Sequence, residues 1–227
     1  MIPNLFRSTR GTALVICFLP IIGINLSYII AASTGTVPAC FPYLDGCTSI
    51  SSTGRNPPSS LVFKPALFIS AVLMIRFWFM TNPWLDQLGE QSSRFRQSLI
   101  AVGAIGGIAL MIYVYNLGTD GAIYRLMRRY GVTVYFGFTY LAQLLLASRL
   151  HKLALQGNNH NLLKITRIML TLCLALLVIG LISIPVSHFM IDKRITETVI
   201  EWNFALLMHG WFFLAYKAYR CAPGPAG

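Results

Sequence analysis

The chain has 227 residues, 56% of them hydrophobic and only 11% charged, against about 25% charged in an ordinary soluble domain, and its mean hydropathy is +0.64. Six apolar stretches of about 20 residues, each long enough to cross ~30 Å of hydrocarbon, leave too little chain for a soluble catalytic domain and exclude a coiled coil, a nucleic-acid module and a disulfide-rich secreted scaffold. The formal charge of +11, from 18 Lys and Arg against seven Asp and Glu, reads as phosphate-headgroup contact from short loops, not nucleic-acid binding.

The first uncharged run, 11–32, follows Arg7 and Arg10. It is long for a signal-peptide core, so a retained helix is expected. Further spans are expected at 61–80, 98–116, 131–148, 168–187 and 198–216. The expected fold class is therefore all-α: a polytopic membrane protein, a six-transmembrane-helix bundle forming one domain over 1–227. Six spans put both termini on one side. Eleven of the 18 basic residues then fall on the side of the termini and seven on the other, which predicts cytoplasmic termini by the positive-inside bias.

The first outer loop, 33–60, is rich in Ser, Thr, Gly and Pro and too long for a simple turn. A connection of this length is expected to carry function. Cys40 and Cys47 lie seven apart within it, either as a disulfide if that side is oxidising or as two free thiols. Cys17 and Cys173 fall inside spans and read as packing residues. Cys221, just past the last span, stands either unmodified or acylated. No CxxC pair offers a zinc site. Of the four histidines, His151 and His160 sit in the fourth connection, His188 at the end of span five and His209 deep in span six. No two intramembrane histidines share a level, so no haem and no other cofactor is expected. The tail Ala222–Gly227, APGPAG, is expected to be flexible.

Charged groups inside a bilayer need a partner or a task. Arg76 can snorkel to headgroups. Glu201 lies one turn inside span six with Glu197 one turn before it on the same face. Either an interhelical salt bridge with Arg125, Arg128, Arg129, Lys193 or Arg194 fixes packing, or Glu201 meets a lipid headgroup or ion, or acts as a general base. His209 lies roughly 12 Å farther along the axis and about 80° around it. Gly103 and Gly107 form a GxxxG that serves internal packing or homodimerisation. Tyr113, Tyr115, Tyr124, Tyr130 and Tyr135 read as an aromatic belt which, with Arg125, Arg128 and Arg129, would suit an anionic headgroup.

The loop ends Ile50-Ser51-Ser52-Thr53-Gly54-Arg55-Asn56-Pro57-Pro58, and Glu201-Trp202 opens the last span. Both resemble the six-span family that includes the damage-regulated autophagy modulators, the phosphoinositide-kinase anchoring proteins and the GPI-anchor remodelling factor. Its members carry a stretch like I-S-x-T-G-x-x-P-P before span two and a Glu-aromatic pair in the last span. In the loop, Gly54 is expected to supply a positive φ, and Pro57 and Pro58 to stiffen the re-entry to the membrane. The resemblance implies an integral membrane protein tied to lipid handling or to the organisation of partner proteins, with no catalytic constellation to transfer. The expected function is thus non-catalytic, a lipid-binding or membrane scaffold protein. The patch Ser51, Gly54, Arg55, Arg125, Arg128, Arg129, Glu197 and Glu201 would meet a membrane lipid or a membrane-protein partner, and a second copy could pack through Gly103 and Gly107. The alternatives are an accessory subunit of a larger membrane complex and a lipid-remodelling enzyme with Glu201 or His209 as base. No GxSxG, HExxH or HxxxxD spacing supports the enzyme.

Overall fold

A computed structural model describes residues 9–189 and 193–222, with side chains left out over 184–189. Arg7, the His188 side chain and the tail beyond Ala222 lie outside the described residues. Among these, the chain forms eight helices and no strand: α1 Thr9–Ser33, α2 Pro42–Asp45, α3 Ile50–Thr53, α4 Ser60–Gln87, α5 Ser93–Asn116, α6 Ala122–Gln156, α7 His160–Phe189 and α8 Lys193–Cys221. Each long helix outruns the apolar stretch that predicts it. Apolarity decides which residues sit in hydrocarbon, whereas Arg, Lys and Gln continue a helix into water as readily as Leu does. The ends carry local signals. The Ser92 hydroxyl accepts the Phe95 N–H at 3.2 Å at the start of α5, the Asn159 side chain accepts the Leu162 N–H at 3.0 Å at the start of α7, and α1 ends in Gly35 at φ +71°.

Five helices are long and apolar enough to cross a membrane: Thr9–Ser33, Ser60–Gln87, Ser93–Asn116, Ala122–Gln156 and the stretch His160–Ser183 of α7. α8, with 29 residues, has the length for a sixth crossing, but Glu201, Asn203 and His209 dilute its apolar character. It is buried against protein instead: Trp202, Met208, Trp211 and Phe212 are all at most 1% exposed.

The six long helices close into a ring, α1 on α4, α4 on α5, α5 on α6, α6 on α7, α7 on α8, and α8 back on α1. From α4 onward short connections make sequence neighbours antiparallel. Aromatic rings fill the interior: Phe77 and Trp78 of α4 meet Phe212 of α8 with centroids 5.4 and 6.3 Å apart. Outside, Phe18, Ile22, Leu26 and Ile29 leave an apolar stripe on α1, and Ile105, Ile108 and Ile112 leave one on α5. Such faces suit lipid tails, where interhelical packing cannot draw on the hydrophobic effect and relies on close fit.

That fit explains the glycines of α5. A Cβ on Gly103 would lie 2.3 Å from the Trp78 ring, and one on Gly107 would lie 2.5 Å from Ile75. The GxxxG face is therefore filled by α4 of the same chain.

Two features tie α8 into the ring. Pro20, inside α1, has no N–H to offer the Ile16 carbonyl one turn back. His209 Nδ1 stands 3.2 Å from that oxygen. A carbonyl only accepts, so Nδ1 carries the proton, and Nε2 accepts from the Tyr135 hydroxyl at 3.0 Å. One histidine thus joins α1, α6 and α8 and fills the gap a proline makes. At the far end of α8 the Trp84 indole donates to the Ala222 carbonyl at 2.8 Å.

Candidate functional site

The connection between α1 and α4 is ordered over the ring's mouth. Cys40 and Cys47 are joined in a disulfide. The Tyr28 hydroxyl receives the Cys40 N–H at 2.7 Å and donates to its carbonyl at 2.6 Å. Trp202 donates its indole N–H to the Thr48 carbonyl at 2.8 Å, Asn203 donates to the Tyr43 carbonyl at 2.9 Å, and the Trp202 ring packs edge-on against Tyr28 and Tyr43. These bonds give physical content to the motif residues. Ser49 caps α3 by accepting the Ser52 N–H. Gly54 is at φ −103°, so the expected positive φ is corrected. Glycine is required because a Cβ there would lie 2.2 Å from the Phe63 ring. Within the loop Gly35 and Gly46 take positive φ instead, and Gly118, at +82°, is pressed against the Arg55 carbonyl with Lys64 Nζ beside it.

Beneath the loop lies a cavity of about 30 Å3, room for about two water-sized groups. Its wall includes Tyr113, Tyr135, Phe136, Glu201 and His209, with Ile50 of α3 above. The five-tyrosine belt is accordingly divided. Tyr115, Tyr124 and Tyr130 are exposed, whereas Tyr113 and Tyr135 turn inward and are 6% and 4% exposed, because α5 and α6 face each other across their small residues and send these two rings into the ring's interior.

Glu201 is half-buried and its carboxylate accepts the Ile50 backbone N–H. The ion pairs among the described residues are Arg96–Asp86, Arg149–Glu90 and Lys193–Glu197. None includes Glu201. Tyr113 lies within electrostatic reach of Glu201, Arg55 and Arg128, so the mouth of the cavity carries one acidic and two basic groups.

The other residues of the predicted patch have other settings. Ser51 is half-buried with its hydroxyl 3.1 Å from that of Ser49. Arg55 is exposed. Arg128 donates to the Asn116 carbonyl at 3.0 Å and to that of Thr119, holding the end of α5. Arg125 and Arg129 are exposed on the first turns of α6. Glu197 pairs with Lys193 at 3.7 Å on the exposed side of α8, so it does not share a cation with Glu201.

Sequence reasoning passed over Lys64 and a second carboxylate, Glu90, and read the inward Tyr113 and Tyr135 as belt residues. Glu90 is 1% exposed, is paired with Arg149 and accepts the Ser92 N–H at 2.8 Å, at the end of the ring opposite the loop. Arg149 also lies over the Phe95 ring, 5.6 Å from its centroid.

A polytopic helical bundle with an ordered first loop, the Ile50–Pro58 motif and Glu201-Trp202 beneath it defines an integral, multi-pass membrane protein. The model of the family described as Frag1/DRAM/Sfk1/Cwh43P N-terminal domain matches residues 12–217, and the chain belongs to that family. No curated protein and no solved structure matches it significantly.

Proposed function

We propose that the protein is a non-catalytic lipid-binding membrane protein, with α8 as its sixth span, whose cavity receives the ammonium end of an outer-leaflet lipid headgroup. The observation that carries this reading is Glu201, a half-buried carboxylate facing an aromatic cavity, with no cation paired to it among the described residues. A carboxylate at the edge of hydrocarbon is costly unless neutralised. A lipid ammonium supplies the missing charge, and the rings of Tyr113, Tyr135 and Phe136 offer π faces to a cation. A space of about 30 Å3 has room for a primary ammonium. The phosphate next to such an amine would meet Arg55 and Lys64, beside the turn at Gly118. A primary ammonium also donates N–H bonds to a carboxylate such as Glu201, which a trimethylammonium cannot, and this favours phosphatidylethanolamine over phosphatidylcholine.

Native mass spectrometry of protein gently extracted from its own membrane tests the reading. The expected spectrum retains a phosphatidylethanolamine mass that Glu201→Gln abolishes and Arg55→Ala weakens. A stoichiometric partner protein without a defined lipid would overturn it and make the chain a scaffold or subunit.

A further inference from the structure

A second recess lies at the same end of the molecule. It encloses about 260 Å3, and its wall includes Thr36, Thr48, Ser49, Ser52, Thr198 and Arg194. Only Ile50 of the α3 turn points toward the Glu201 cavity; Ser49 and Ser52, on either side of it, line this recess instead. The two spaces therefore share a wall and no polar lining residue.

The chemistry of the recess is unlike that of its neighbour. Five hydroxyls and one guanidinium line it, and no Asp or Glu does among the described residues. Thr48 and Thr198 are buried, 7% and 5% exposed, and among the described residues neither hydroxyl is hydrogen-bonded. Arg194 takes part in no ion pair there, and Glu197, the carboxylate one turn along the same helix, is engaged by Lys193. The wall is also fixed before any ligand arrives. The Cys40–Cys47 bond closes one side, the Trp202 indole holds the Thr48 carbonyl, and Ser49 is tied to Ser52 at 2.8 Å.

We propose that this recess binds a phosphate ester, with Arg194 as the charged contact and the Thr48 and Thr198 hydroxyls as donors. A guanidinium makes charge-assisted bonds to phosphate oxygens. Hydroxyls rotate to donate to the remaining oxygens, and an oxyanion with three or more free oxygens uses such a set where a carboxylate with two would leave donors idle. Among the described residues no carboxylate lines the recess to repel an anion. The volume exceeds that of a bare phosphate, so the alcohol portion of the ester has room beside more hydroxyls. This inference goes beyond the ammonium site and does not depend on it.

The test uses the full chain in phosphatidylcholine nanodiscs. Glycerol 3-phosphate is titrated calorimetrically into the wild type and the Arg194→Gln and Thr198→Val variants, and thermal stability is compared in nanodiscs with and without phosphatidic acid. Arg194 is exposed and valine matches threonine in shape, so size-exclusion profiles of both variants are expected to match the wild type. Saturable binding of glycerol 3-phosphate, weakened about tenfold by Arg194→Gln and less by Thr198→Val, assigns a soluble ester. Stabilisation by phosphatidic acid alone, lost in Arg194→Gln, assigns a lipid headgroup. Glu201→Gln is expected to leave either response in place, which separates this proposal from the ammonium reading. No response to either probe, or a response indifferent to both variants, overturns it.

Discussion

Two carboxylates in this molecule sit at opposite ends of one helical ring and have opposite surroundings. Glu90 is fully buried and held by Arg149 and the Ser92 N–H. Glu201 is half-buried, accepts one backbone N–H, and faces a cavity instead of a cation. A buried carboxylate held by a cation and a backbone donor fixes packing. An unsaturated charge beside a space of molecular size leaves its neutralising partner to come from outside. On the function proposed above, the first arrangement belongs to stability and the second to recognition.

The largest effect is expected where the Glu90–Arg149 pair is broken. Glu90→Gln leaves a partly exposed Arg149 without its counter-charge and should destabilise by about 2–3 kcal/mol, read as a drop in the midpoint of thermal unfolding in detergent. An unchanged midpoint would remove the distinction between the two ends. Gly54→Ala comes next, because the new methyl meets the Phe63 ring and overpacking costs about 1–3 kcal/mol. Faster proteolysis within the first loop should accompany the loss, since Phe63 is the floor on which that loop rests.

The histidine that fills the proline gap gives a sharper test. His209→Ala leaves the Ile16 carbonyl and the Tyr135 hydroxyl without partners and should cost about 1–3 kcal/mol. In a Pro20→Ala background the new backbone N–H takes the Ile16 carbonyl, so the same substitution should cost less. A double-mutant cycle reads that coupling, and additive effects would mean that His209 does not serve the Pro20 break. The exposed Lys193–Glu197 pair should be worth least: Lys193→Ala is expected to change stability by no more than about 0.5 kcal/mol.

Much of the scaffold is legible from the sequence because hydrocarbon imposes a local rule. A run such as 11–32 or 98–116 announces a helix by apolarity and length alone, and only the helix ends move. What the sequence hides is pairing between distant elements. Glu90 sits in a short polar stretch and reads as a solvated loop residue until α6 brings Arg149 onto it. Tyr113 and Tyr135 look like belt residues because one-dimensional position gives depth but not direction around a helix. Gly54 is visible as a motif residue, yet the reason for it is the Phe63 ring of the following helix, not a turn angle. Glu201 stands out early because a carboxylate in an apolar span is rare, but its neighbours Tyr113, Tyr135 and Ile50 come from three other helices and leave no mark at its own position.

The most direct test of the contrast between the two carboxylates is the shift in thermal midpoint when phosphatidylethanolamine is added to delipidated protein in detergent. A ligand that binds the native state raises the midpoint by mass action. The wild type should show that shift, Glu90→Gln should start lower and keep it, and Glu201→Gln should start near the wild type and lose it. A Glu201→Gln protein that retains the full shift, or one that starts as low as Glu90→Gln, would contradict the assignment of recognition to one end and stability to the other.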